Sequence, residues 1–104
     1  MADLPSDSLV DPVQKRDNYM CQYCGKDGLA SLDNWHDCTR DHVKPFSRGG
    51  VEDPSNVVTS CHYCNSIKGD RVFNSLEDAR AFVLARRAEL QLDFEWVRRA
   101  VRGA

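Results

Sequence analysis

Apolar positions recur with a helical period in the last third of the chain. Leu76, Ala79, Val83, Leu90, Phe94, Val97 and Val101 follow one another at spacings of three, four or seven, which draws a single apolar stripe along a helix. Ser75 with Asp78 three residues later is a capping-box-like start, and acidic residues suit that end of the dipole. The pattern predicts one long helix, or two broken near Gln91 to Asp93. Upstream the segments are shorter. Asp11 before Pro12 reads as a cap and first turn, with Val13 to Asn18 as a short helix that ends at Tyr19 and Met20. Residues 26–34 are turn-rich. Trp35 to Val43 alternate loosely up to Pro45 and predict a first strand, while beta-branched Asn56 to Ser60 predict its return. Between them Ser47 to Gly50 and Glu52 to Pro54 are loop material. From His62 to about Lys68 a helix is expected, with Gly69 at its end. The order strand, loop, strand, helix makes the fold class α+β. Residues 1–11, with Pro5 and three acids, read as a loose arm, and Trp35, Phe73, Phe82 and Phe94 as core.

A chain of 104 residues is one small domain, for which a metal staple would be a substantial aid to stability. Its 41% hydrophobic and 29% charged residues are those of a soluble globular protein, with no apolar run long enough for a bilayer. The N-terminus lacks the basic start and apolar core of a secretory signal, so a cytoplasmic location is expected. Net charge is -2, yet it is unevenly spread. Residues 1–37 hold three Lys/Arg against seven Asp/Glu, and residues 38–104 hold eleven against nine. Phosphates are met by local patches, so this balance leaves nucleic acid open as a partner.

Five cysteines, an odd number in a reducing compartment, speak against a disulfide framework. Cys21 and Cys24, then Cys61 and Cys64, are two Cys-x-x-Cys pairs, each able to put two thiolates on one ion, and together they predict a structural zinc site. The 36 residues between the pairs exceed a simple zinc ribbon, so the closed loop must carry structure of its own. Cys38 reads as a small buried apolar residue, and Tyr19, Tyr23 and Tyr63 as packing around the metal. Inside the loop Asp41 and His42 adjoin. A carboxylate can hold a divalent cation, and an imidazole neutral at cell pH can take a proton from water. Both can address one site only if the strand ends there, which Pro45 suggests. Lys44, Arg48, Lys68 and Arg71 are candidate phosphate contacts. His62, between the second pair of cysteines, reads as outward-facing, with a ligand role as the fallback. The arginines of the C-terminal stretch read as a solvated helix face.

Asp41-His42-Val-x-Pro45, then Asn56-Val-Val fourteen residues after His42, then Cys64-Asn65-x-x-Lys68-Gly-x-Arg71, all bracketed by the cysteine pairs, closely resembles the HNH endonuclease family over residues 19–71. The resemblance implies a beta-beta-alpha-metal fold, placing a nuclease core with structural zinc over residues 12–74, followed over residues 75–104 by the helical extension that the apolar stripe predicts. It implies His42 as general base and Asn56 as the residue that holds the loop so that His42 is aimed. Asn65 stands where many members have histidine, an H-N-N variant in which Asp41 and Asn65 bind the catalytic cation through oxygen, which suits Mg2+ or Mn2+. The implied activity is hydrolysis of DNA phosphodiesters to 5'-phosphate and 3'-hydroxyl products. One active site per protomer implies nicking of one strand at low sequence specificity, by a monomer or weak dimer, unless a partner protein supplies specificity. The rival expectations are a non-catalytic zinc knuckle that binds nucleic acid or protein, and the same chemistry on RNA.

Overall fold

A two-stranded antiparallel ribbon lies at the centre, and short capping signals decide where each strand begins and ends. The computed structural model describes residues 9–103, so the expected arm over residues 1–11 falls largely outside the described residues. In α1 (Pro12–Arg16) the Asp11 carboxylate accepts from the amides of Val13 and Gln14, and proline occupies the first turn. Asn18 and Tyr19 follow with φ of 54° each, a left-handed pair that turns the chain into the first cysteine pair.

The first strand is shorter than the pattern of alternation predicts. Ser31 accepts from the Asn34 amide and caps α2 (Leu32–Asp37), with Asp33 in its first turn, so Trp35 to Asp37 are helical and not extended. Trp35 is consequently 48% exposed and not core. The strand proper is β1 (Cys38–His42), which ends at His42. It pairs with β2 (Val57–Cys61), Cys38 opposite Cys61 and His42 opposite Val57. Asn56 belongs to a 3₁₀ turn, Pro54–Asn56, capped by Asp53, and so sits just before β2.

β2 runs directly into α3 (His62–Lys68), with Cys61 as last strand residue and helix cap together. Gly69 ends α3 at φ +59°. α4 (Leu76–Arg102) then packs on α3 as one unbroken helix, Ser75 capping it through the Asp78 amide. Nothing at Gln91 to Asp93 breaks it, because neither glycine nor proline interrupts the backbone bonds there. Ala79 and Val83 from this helix join Cys21, Tyr23, Cys38, Val43, Val58, Cys61 and Cys64 in the core, with Phe73 and Phe82 packed half-buried against it. Phe94, expected in the core, is instead 54% exposed, because the core ends before α4 does. No helix among the described residues is long and apolar enough to cross a membrane.

The loop from Val43 to Asn56 closes back on itself at Gly50, whose amide donates to the Pro45 carbonyl at 2.9 Å. A Cβ there would lie 1.7 Å from the Lys44 carbonyl oxygen, a backbone atom that cannot swing away. Gly50→Ala is therefore expected to open the loop and destabilise the fold by about 1–3 kcal/mol, read as a lower midpoint in thermal denaturation.

Candidate active site and metal centre

The four sulfurs converge. One ligand atom each from Cys21, Cys24, Cys61 and Cys64 lie within 4.8 Å of one another, and Cys24 Sγ is 3.8 Å from Cys61 Sγ. A tetrahedral zinc with bonds of about 2.3 Å needs sulfur–sulfur edges of about 3.8 Å, so the cluster fits zinc. Without an ion such a cluster resists full ionisation: the hydrogen bond with Cys21 pushes the Cys61 thiol up to about 11, and Cys64 is raised by its hydrogen bonds with Cys21 and Cys61. A bound cation removes that penalty. Arg87 from α4 adds a fixed charge, its Nη1 3.6 Å from Cys64 Sγ and its guanidinium stacked 4.4 Å over the Tyr63 ring. The two backbone features that shape the first knuckle are Gly25 at φ +79° and its amide donating to the Cys21 carbonyl. His62 is exposed, facing outward beside the cluster.

Asp41 and His42 leave the end of β1 in different directions. The Asp41 side chain is buried, and its Oδ2 accepts from Tyr23 Oη at 2.6 Å and lies 3.6 Å from Lys68 Nζ. Tyr23 thus spans from the zinc knuckle to the first strand and does more than pack around the metal. Burial raises the Asp41 carboxyl above the usual range, and the Tyr23 and Lys68 contacts oppose that rise. Burial and the neighbouring Asp41 charge raise the Tyr23 phenol, so it remains a donor. Oδ1 of Asp41 has no hydrogen-bond partner among the described residues and is not sealed from solvent.

Lys68 corrects the sequence reading. Expected to meet phosphate, it is 0% exposed, and its Nζ donates to the His42 carbonyl at 2.9 Å while facing Asp41. Its position on the core face of α3, as the last residue of the helix, turns the ammonium inward, where it answers a buried carboxylate. Lys68 clamps α3 onto the Asp41–His42 step. Asn65, three residues earlier on α3 and so on the same side of it, is half-buried, and its amide makes no hydrogen bond among the described residues. The oxygen donors left over, Asp41 Oδ1 and the Asn65 amide, are of the kind that suits Mg2+ or Mn2+ and not a thiophilic ion.

The His42 ring turns toward the loop. It packs against Phe46 with centroids 4.2 Å apart, and Nε2 contacts the Glu52 carboxylate, which also receives Arg40. The His42 hydrogen bond holds the Glu52 carboxyl below the usual range. An imidazole that donates Nε2–H to Glu52 presents a bare Nδ1. Glu52 went unread in the sequence because a lone loop acid carries no signal of its partner. Asn56 is fully used: Nδ2 donates to the carbonyls of Lys44 at 3.0 Å and Val51 at 2.9 Å, and Oδ1 accepts the Lys44 amide at 2.8 Å. It pins together the two ends of the loop that follows His42. No hydrogen bond joins the His42 ring to Asp41 or Asn65 among the described residues; the link between strand and helix is Lys68.

Of the other cations, Lys44 and Arg48 are exposed on that loop, Arg48 3.3 Å from Asp70. Arg71 is exposed but partly engaged, donating to the Ile67 and Lys68 carbonyls at the end of α3 and lying 4.8 Å over Phe82.

The family model described as HNH endonuclease matches residues 21–71. No curated protein and no solved structure matches the chain.

Two outcomes follow from this geometry. Cys61→Ser, which alters a zinc ligand and the cap of α3 together, should bind less than one zinc per chain and melt at lower temperature, measured by metal analysis and calorimetry. Lys68→Met leaves the Asp41 carboxylate buried without its counter-charge, and should cost roughly 3 kcal/mol in denaturant unfolding of the zinc-loaded protein.

Proposed function

From the premise that this chain belongs to the HNH endonuclease family through residues 21–71, we propose that it is a metal-dependent endonuclease that hydrolyses phosphodiester bonds in DNA, one strand at a time. The observation that carries this reading is the Lys68 clamp, which holds the helix bearing Asn65 against the strand end bearing Asp41 and His42. A module that only bound nucleic acid through its zinc knuckles would have no use for a buried carboxylate and an oriented imidazole at that junction.

In the reaction, His42 takes a proton from water at Nδ1 while Glu52 holds Nε2–H and fixes the ring. The water oxygen bonds to phosphorus as the bond to the 3'-oxygen breaks, and the leaving 3'-oxygen takes a proton from solvent, giving a 5'-phosphate and a 3'-hydroxyl. Asp41 and Asn65 would hold a divalent cation, Mg2+ or Mn2+, which when bound would supply positive charge against the phosphate. Tyr23 and Lys68 keep the Asp41 carboxylate oriented, so that little rearrangement is needed on binding. Asn56 keeps the loop after His42 closed, and Lys44 and Arg48 meet flanking phosphates on the same loop. With only Lys44 and Arg48 exposed on that loop to meet phosphates, non-specific affinity is modest and its salt dependence shallow.

Supercoiled plasmid tests the reading. Conversion to open circle should require Mg2+ or Mn2+, stop in EDTA, and fall by about 10²-fold or more in His42→Ala. Cleavage undiminished by His42→Ala, or unaffected by chelation, defeats the proposal in favour of a binding module. Single-stranded RNA as a competing substrate separates DNA from RNA preference in the same assay.

A further inference from the structure

The apolar stripe of α4 is only half partnered. Its first part, at Ala79 and Val83, is buried against the core. The same face continues through Leu90, Phe94, Val97 and Val101, where the exposures are 54% for Phe94, 55% for Val97 and 76% for Val101. From Leu90 to Val101 the face is about 18 Å long at 1.5 Å per residue. A run of heptad-spaced apolar residues on an isolated helix face is an association surface and not a solvated one.

We infer that this half of α4 docks antiparallel against the same half of a second copy of the chain. The apolar stripe reads the same in both directions about a midpoint between Glu95 and Trp96. Reversal there sets Leu90 level with Val101 of the second copy, and Phe94 level with its Val97. Charge agrees with that register. Gln91, Glu95 and Arg98 lie on one flank of the stripe, and reversal sets Arg98 within about 3 Å of axial rise from Glu95 of the second copy, twice per dimer. On the other flank Asp93 falls beside Ala100 and not beside a like charge. The helix dipoles also oppose. A parallel pair is excluded by space, because α3 and the core already cover this face at Ala79 and Val83 in each copy. The contact buries on the order of 1,000 Å² in total, at the low end for specific interfaces.

Sedimentation equilibrium of the full chain over a wide concentration range tests this. The mass should rise from the 11.8 kDa of a single copy toward twice that value. Phe94→Glu and Val97→Glu, each checked for unchanged helicity by circular dichroism, should weaken association by roughly tenfold or more. Arg98→Glu should weaken it, and Arg98→Glu with Glu95→Arg should restore it. A single-copy mass at every concentration overturns the inference, as does wild-type association in either glutamate variant. Failure of the double exchange to restore association overturns the antiparallel register. These readouts are independent of cleavage, so the nuclease reading stands or falls separately.

Discussion

The tetrathiolate cluster is the constraint on which the rest depends. It joins the knuckle after α1 to the junction of β2 and α3, and so closes the span that contains the ribbon and the His42 loop. Cys61 concentrates this role in one residue, being the last pairing position of β2, the cap of α3 and a metal ligand. A core with so few large apolar side chains would not hold these short elements in register without a cross-link, since ordering each residue costs about 1–2 kcal/mol. The convergence of the four sulfurs also settles the register of α3, and therefore which of its side chains turn toward the strand end.

Around that anchor the polar interior is organised as a chain of partners. Tyr23 leaves the first knuckle and reaches Asp41; Asp41 faces Lys68; Lys68 reaches the His42 carbonyl. Tyr23, Asp41 and Lys68 each find a partner on a different element, so knuckle, strand and helix are mutually fixed at the point where chemistry is expected. The arrangement is specific in a way that an apolar contact is not, because a slip of one residue in α3 would strand both a carboxylate and an ammonium in the interior.

Much of this was legible in the residues, and the failures have physical causes. The cysteine pairs, the Asp11 and Ser75 caps, the span of α3 and the apolar stripe of α4 are local signals, and each appears where the spacing puts it. Trp35 to Asp37 misled because loose alternation outweighed the Ser31 cap, although an oxygen cap followed by Asp33 is the stronger local instruction. Lys68 misled because lysine is usually a surface residue, and only the fold reveals a buried carboxylate for it to meet. Glu52 and Arg87 act on partners 10 and 23 residues away, a separation at which single-sequence patterns carry no pairing information. Phe94 failed for another reason: periodicity reports which side of a helix is apolar, not whether anything lies against it.

The Arg87 contact has a consequence for how the molecule responds to its surroundings. Because a guanidinium on the long helix leans on a ligating sulfur, the electrical state of the cluster is felt by an element that contributes no ligand. A change in the charge on Cys64 changes the electrostatic hold on Arg87, one of the ties between α4 and the rest of the fold. The long helix is thereby tied to the cluster by a charge as well as by the apolar contacts of Ala79 and Val83.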